Sequence, residues 1–444
     1  MKNYLFFLLL VTPCLSVFHS VKAQNGTYCI ENRFSESAFF ELQQISISQS
    51  LVYSVVRRWP GTGVDTLKMD IYSPDTLRDP LAARPAIMFM HGGAWLTGSR
   101  SDQGIRQKCV DWARRGFVVA SISYRLGWNC NASDLLAVCV LCQGNYYDMN
   151  TAVYRGAQDA HTAMRWLVAN HKQFHIDTSA LFAGGESAGS FNALHLAFWS
   201  PAYARTAFSG GPYKILGALD SSGLYPGLKF RIRGVINNCG AVLNDAKLYY
   251  PRIPVVSFHD AADCVVPYRA DRVLNCCATS FFYARGSRMI HDEQTAASVP
   301  SELHTVQGMT PQHCSYPSLT LVQESSCFIK KLLCGMSPGG DIDYPTKPSV
   351  SCASLKSTGT DRYELSTVKI WPNPANSTLY LDGEALRHEK ELILGELSGR
   401  VLKRITITEH TNFLTMDLSD VHPGTYMLKF RQLAPKLVHV SGVQ

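Results

Sequence analysis

Short apolar runs alternate with longer segments whose apolar residues recur every three or four positions. Positions 85–90 (Pro-Ala-Ile-Met-Phe-Met), 117–122, 180–183 (Ala-Leu-Phe-Ala), 232–236 and 253–258 are apolar almost throughout. A strand buried on both faces reads this way, because neither face presents polar side chains to water. Positions 67–72 alternate apolar and polar residues, the pattern of a strand near a sheet edge. Positions 303–306 read as a last short strand. Between these runs, 102–115, 151–170, 190–199 and 318–333 carry helical spacing. In the second of them Ala152, Ala157, Ala160, Met164 and Leu167 fall mostly on one face. Positions 271–285 are expected to be helical in part. Positions 24–60 predict no firm element, 203–230 are glycine-rich and irregular, and 125–150 form a long insertion with three cysteines and two tyrosines. Strands alternating with helices imply an α/β fold, a mostly parallel sheet covered on both faces. Ligands of such sheets sit beyond the C-terminal ends of the strands.

The pattern changes after position 334. Positions 335–365, with Ser-Pro-Gly-Gly-Asp, Tyr-Pro-Thr-Lys-Pro and then serines and threonines, read as a linker. Short apolar runs follow at 368–371, 379–381, 392–394, 401–407, 413–418, 426–430 and 437–440, with turns and little helix. Strands at this spacing predict a small C-terminal β-sandwich over 366–444. The expected organisation is a leader over 1–23, a catalytic α/β domain over 24–334, the linker, and the β domain.

The chain of 444 residues is too long for one ordinary domain. Its 46% hydrophobic and 17% charged content excludes a disordered protein. A net charge of +7 without a basic run or basic helix excludes a nucleic-acid partner as the expectation. Lys2 followed by an apolar stretch over 4–17 reads as a targeting segment too short to span a membrane. Val21-Lys22-Ala23 places cleavage before Gln24. Cys14 as a lipoprotein site ranks lower, because Val11-Thr12-Pro13 matches that signal poorly. The mature chain is expected to be exported and to span no membrane. Without Cys14, thirteen of the 14 cysteines remain, so at least one thiol is free or pairs with another chain. Disulfides are the default in that compartment. Cys139 and Cys142 form a Cys-x-x-Cys without a second pair at zinc spacing, so no metal site is expected. Adjacent Cys276 and Cys277 are expected to pair elsewhere, and Cys334 with Cys352.

The candidate chemistry centres on Gly185-Glu186-Ser187-Ala188-Gly189, between a predicted strand and a predicted helix. A serine flanked at minus two and plus two by glycine at such a junction is a nucleophile-elbow pattern. The turn is tight, so Gly185 and Gly189 leave room for the backbone. A serine hydroxyl is a weak nucleophile and needs a base, an acid to orient that base, and donors for the developing oxyanion. Asp263, in the loop after the 253–258 strand, is the acid candidate, with Asp260 as its rival. His313, in the loop after the last strand, is the base candidate. His304 lies within that strand and is expected to be packed. The amides of Gly93 and Ala188, with Gly92 or Ala94 as neighbours, are the oxyanion donors. Trp95 would line the acyl pocket or sit in the core, and Glu186 would face the substrate. Against these readings stand a plain Gly/Ser turn, solvated loop carboxylates and an exposed loop histidine. The order Ser187, Asp263, His313, each just after a strand, favours the functional alternative.

Four motifs, His91-Gly92-Gly93-Ala94-Trp95, Ser123-Tyr124-Arg125-Leu126, the Gly185 to Gly189 pentapeptide and His259-Asp260-Ala261-Ala262-Asp263-Cys264-Val265-Val266-Pro267, together resemble the α/β-hydrolase esterases. The nearest resemblance is to bacterial carboxylesterases of the feruloyl- and acetylxylan-esterase kind, over about 64–334. It implies Ser187 as nucleophile, Asp263 as acid and His313 as base. The chain departs from the pattern at Ala94, where a third oxyanion glycine is usual, and at Asp260, where glycine is usual. The insertion over 127–150 has no counterpart and would form a lid. Trp371-Pro372-Asn373-Pro374-Ala375, Leu397-Ser398-Gly399-Arg400-Val401-Leu402, Met416-Asp417-Leu418-Ser419 and Pro423-Gly424-Thr425-Tyr426 resemble the C-terminal sorting domain of the type IX (Por) secretion system. That implies passage through the outer membrane, then release or surface attachment.

The expected protein is a secreted serine carboxylic-ester hydrolase without cofactor or metal. Its partners would be an ester substrate, small or polysaccharide-linked, and the outer-membrane secretion machinery. The alternatives are a peptidase of the prolyl-oligopeptidase type and a non-catalytic surface-binding protein on a hydrolase scaffold.

Overall fold

The computed structural model describes residues 27–79, 81–130, 138, 141–142, 146–243, 253–277, 281–308, 313–344, 351–355, 369–382, 386, 391–396, 398, 400–407, 413–430 and 436–441. The expected leader therefore lies outside the described residues, as does most of the insertion after Cys130. The chain divides into two compact units, 1–356 and 357–444.

The first unit is built on a nine-stranded sheet. Its strands are β1 (Ile45–Arg57), β2 (Val64–Pro74), β3 (Arg84–Met90), β4 (Val118–Ile122), β5 (Ile176–Glu186), β6 (Ile232–Asn238), β8 (Val255–Asp260), β11 (Ser301–Val306) and β12 (Gly339–Tyr344). They lie in the order β1-β2-β4-β3-β5-β6-β8-β11-β12. From β4 to β12 every pairing is parallel, while β1–β2 and β2–β4 are antiparallel. The apolar run of β3 is buried along its whole length. Its alternate residues serve two different cores. Ala86, Met88 and Met90 pack with helix α2 (Tyr146–Ala169) through Ala157, Ala160 and Met164, and with helix α3 (Ala188–Phe198) through Leu194. Ile87 and Phe89 face the other way, toward Ile105 and Trp112 of α1 (Gln103–Arg114) and Leu321 and Phe328 near the C-terminal end of the unit. This two-sided burial is why the central strands read as continuous apolar runs.

Four expectations are corrected. The described residues of 271–285 are not helical: β9 (Ala270–Arg272) and β10 (Tyr283–Gly286) pair antiparallel, and β10 also pairs with β7 (Ala241–Leu243). The irregular stretch over 203–230 holds short helices α4 (Pro201–Ala207) and α5 (Pro212–Leu216), each with a proline in its first turn. After α6 (Ser287–Ala296) and α7 (Ser318–Leu333) the chain does not pass straight into a linker. It returns to the sheet as β12, parallel to β11, so the sheet extends beyond position 334. Finally, Cys334 pairs with Cys29 and Cys352 with Cys327, not with each other. Further bridges join Cys130 to Cys142, Cys239 to Cys314 and Cys264 to Cys276, and Cys277 is disulfide-bonded too. Among the described residues the free thiol is Cys109, which is buried.

The second unit forms two antiparallel sheets. One holds β13 (Lys369–Trp371), β14 (Thr378–Asp382) and β17 (Phe413–Asp417); the other holds β15 (Glu391–Glu396), β16 (Val401–Thr406), β18 (Gly424–Phe430) and β19 (Lys436–Val440). Leu379, Leu381 and Met416 from the first sheet share one core with Leu392, Leu394, Leu428 and Val438 from the second. Inward-facing residues two apart along each strand are what the sandwich expectation requires. Among the described residues no helix is long and apolar enough to cross a membrane.

Candidate active site

Ser187 sits between the end of β5 and the start of α3, with φ +51° and ψ −119°. A non-glycine residue held in that region is strained and persists only where its surroundings over-determine it. Here they do. The Ser187 amide donates to the Asn238 carbonyl at 2.9 Å, and a Cβ on Gly185 or Gly189 would overlap backbone, of Gly189 in the first case and of Met90 and His91 in the second. The two glycines let β5, α3 and the end of β3 come together, and the turn between them lifts the serine side chain.

Two loops bring partners to it. His313 places Nε2 3.1 Å from Ser187 Oγ and Nδ1 2.9 Å from Asp263 Oδ2. Asp263 Oδ1 accepts the amides of Val265 and Val266 at 2.8 and 3.0 Å. Burial works against the charge on Asp263, but hydrogen bonds from His259 and His313 outweigh it and hold the carboxyl well below the ordinary range. The rival Asp260 does other work. Its Oδ1 accepts the Ala262 amide at 2.9 Å and its Oδ2 accepts the Ser315 hydroxyl at 3.0 Å, so it ties down the segment carrying His313 without touching the ring.

His259, left without a role by the sequence, belongs to the same network. Its Nε2 lies 3.2 Å from the Val266 carbonyl and 3.3 Å from Asp263 Oδ2. Both partners only accept, so Nε2 carries the proton. Its Nδ1 then accepts from Ser287 Oγ at 2.7 Å, and Ser287 Oγ accepts from Asn237 Nδ2 at 3.0 Å.

A pocket of about 860 Å³ opens over Ser187 and His313. Gly92, Gly93 and Ala94 line it beside the serine. Gly93 has φ +108°, a conformation that favours glycine, and a Cβ on Gly92 would crowd the Glu186 carbonyl and Ser187. Ala188 is the first residue of α3, whose opening amides have no acceptor within the helix. Val138, from the cysteine-rich insertion, faces the same pocket. Glu186 lines it too, in an ion pair with Lys108 at 2.9 Å. Trp95 does not line it. With left-handed backbone at Ala94 and Trp95, the indole turns into the core, donates to Asn192 Oδ1 at 2.9 Å and packs edge-on against Phe191. His91 stacks on Tyr124 with ring centroids 4.4 Å apart, and the Tyr124 hydroxyl donates to the His91 carbonyl at 2.8 Å. Burial lowers the pKa of His91 and keeps it neutral. Arg125, next in that motif, forms a buried pair with Asp159 at 2.6 Å. The motif is thus a support for the His-Gly-Gly turn.

Among the described residues two clusters have metal-ligand composition, Cys239 with His313 and Cys314, and Glu36 with Cys327 and Cys352. In each, both sulfurs are tied in a disulfide and cannot act as thiolate ligands.

The comparisons fall on these features. The BD-FAE esterase-domain model matches residues 69–137, which span most of β2, β3 with the His-Gly-Gly turn, α1 and β4. The secretion system C-terminal sorting domain model matches residues 369–439. The first unit thus carries a match to an esterase-domain model, and the second a match to a secretion sorting-domain model. The chain is 31% identical over 126 residues to the neuroligin-like protein glit-1 of Caenorhabditis elegans, covering 28% of this chain and 15% of that protein. It is 28% identical over 152 residues to gut esterase 1 of the same organism, covering 33% and 23%. It therefore spans under a quarter of the length of these curated relatives. Among solved structures it is similar to a thermophilic esterase from Thermogutta terrifontis bound to butyrate, with TM-score 0.43, 18% identity and coverage of 68% and 98%. It is also similar to the α/β hydrolase MGS-M1 from a Medee basin deep-sea metagenome library, with TM-score 0.40, 16% identity and coverage of 66% and 100%. The sorting-domain match indicates secretion or attachment at the outer surface.

Proposed function

We propose that the chain is a secreted carboxylic-ester hydrolase working through Ser187, His313 and Asp263. The observation that carries this reading is the continuous path from Ser187 Oγ to His313 Nε2 at 3.1 Å and from His313 Nδ1 to Asp263 Oδ2 at 2.9 Å, at the floor of an open pocket. His313 takes the serine proton as Oγ attacks the ester carbonyl. Asp263, held ionised, stabilises the imidazolium that forms and keeps the ring turned so that Nε2 faces the serine. The amides of Gly93 and Ala188, with Gly92 beside them, receive the oxyanion; one such donor is worth about 10²–10³ in turnover. His313 then protonates the leaving alcohol, and water releases the acid from the acyl-serine by the same steps in reverse. The BD-FAE match and the gut esterase relatives support esters as the substrate class. Acetyl and feruloyl esters are the substrates we propose, with the secretion machinery as the partner of the sorting domain.

The test is hydrolysis of p-nitrophenyl acetate by the wild-type protein and by Ser187→Ala. Wild-type turnover that the substitution abolishes supports the reading, and equal rates sink it. A panel of acetyl, feruloyl and longer-chain esters then ranks the acyl groups.

A further inference from the structure

We infer that the Cys239–Cys314 disulfide is a positioning element of the reaction, holding His313 against Ser187, so that its reduction disarms the site. This rests on the proposed triad.

The bridge joins the segment beside the nucleophile turn to the segment that carries the base. Cys314 directly follows the base His313, and its Sγ lies 3.4 Å from His313 Nε2. Cys239 directly follows Asn238, whose carbonyl accepts the Ser187 amide at 2.9 Å and the Ser190 hydroxyl at 2.9 Å. The Asn238 amide in turn donates to Ser190 Oγ at 2.9 Å, and the Cys239 amide donates to the Phe258 carbonyl at 2.7 Å. One end of the bridge is therefore anchored to the ledge that shapes the nucleophile turn, and the other to the base.

The backbone on both sides supports the same reading. Cys239 has φ +48° and Cys314 φ +52°. Residues with a Cβ enter the left-handed region rarely, and at a cost that something else must offset. A covalent link between the two residues is such a constraint. The other ties on this segment are non-covalent: His313 to Asp263, Ser315 to Asp260, and Tyr316 to His304.

Chemistry adds a second effect. In the disulfide, Sγ of Cys314 has no proton to give, so the ring nitrogen 3.4 Å away is left to the Ser187 hydroxyl. A dithiol reductant changes this. Its thiolate attacks one sulfur of the bridge to give a mixed disulfide, its second thiol closes on the first, and the reagent leaves as a cyclic disulfide. Two electrons and two protons are left on Cys239 and Cys314. The Cys314 thiol is then a proton donor beside Nε2 and competes with Ser187 for it. Reduction both loosens the base and occupies it.

The experiment compares wild type, Cys239→Ser/Cys314→Ser and the control Cys29→Ser/Cys334→Ser on p-nitrophenyl acetate. The control removes a bridge whose cysteines do not line the pocket. For the Cys239/Cys314 variant kcat is expected to fall about 10²-fold, the scale of misplacing a reacting group by about 1 Å, with KM nearly unchanged. The control is expected to lose thermal stability and keep kcat. Wild type treated with dithiothreitol is expected to lose activity in step with alkylation of Cys239 and Cys314, read by mass spectrometry, and to regain it on reoxidation. Should the double variant fail to fold, this titration alone decides. Wild-type kcat in a folded Cys239/Cys314 variant, or alkylation of both cysteines without loss of activity, overturns the inference and leaves the triad standing. A wild type that hydrolyses no ester sinks the triad reading instead.

Discussion

His259 Nε2 lies 3.3 Å from the same Asp263 oxygen that takes His313 Nδ1 at 2.9 Å. The acid of the proposed triad is thus gripped by two imidazoles, and the inner one is fixed in turn by Ser287 and Asn237. His259→Ala is expected to lower kcat/KM by about 10-fold, mostly in kcat, because one donor to a buried carboxylate is lost and Asp263 gains freedom. His259→Gln, which restores an N–H near that position, should recover part of the loss. A glutamine variant no more active than the alanine variant would mean His259 serves packing alone.

Asp263 and Asp260 can be separated by the same assay. Asp263→Asn presents an amide to His313 and should cost about 10⁴-fold in kcat, as a wrongly oriented or wrongly protonated base does. Asp260→Asn should retain most activity and lose thermal stability, because it weakens the bonds to Ala262 and Ser315, each worth about 1 kcal/mol. The reverse outcome would transfer the acid role to Asp260.

The Lys108–Glu186 pair answers a question that the elbow motif leaves open, namely why an acidic residue precedes the serine. The lysine side chain is 7% exposed and the glutamate 29%, so the pair is only partly shielded from water. Lys108→Met is expected to destabilise the protein by about 1–2 kcal/mol, the range for breaking a buried pair discounted for the exposure of Glu186. Adding Glu186→Gln should recover part of the loss. Thermal unfolding of the two single variants and the double variant closes the cycle, and strict additivity would show that the two charges do not interact.

Acid should destabilise the fold through two buried histidines. Burial pushes His161 and His195 down to about 3, and in both it is the dominant cause. The ordinary histidine value is about 6.5, so between pH 6.5 and 3 the unfolded chain binds protons that the folded chain refuses. The stabilisation from keeping them neutral is complete above about pH 6.5 and is lost progressively as pH falls toward 3. The melting temperature should decline steadily across that window. His161→Phe should flatten the slope by about one proton, and an unaltered slope would remove His161 from the account.

Much of this arrangement is legible along the chain, for a physical reason. The central strands are buried on both faces and so announce themselves, and Ser187, Asp263 and His313 each follow one of them. What is hidden depends on directions that no period encodes. β1 is largely exposed and serine-rich, and carries no apolar signature until it pairs with β2. The partial helix expected over 271–285 yields to pairing with Ala241–Leu243 and to the Cys264–Cys276 bridge. Trp95 follows the turn that lines the pocket, and left-handed backbone at two successive residues swings it inward. Cys334 and Cys352 are near each other in sequence, yet the end of α7 delivers Cys334 to Cys29, 305 positions away.

The bridges Cys29–Cys334 and Cys327–Cys352 gather the early part of the first unit and its last described residues onto α7. Both close before the division between the units at 356/357. A cut beyond that point severs none of the described disulfides and no strand of the nine-stranded sheet. The first unit is thus built as a self-fastened piece, whose fastenings would survive detachment from the second.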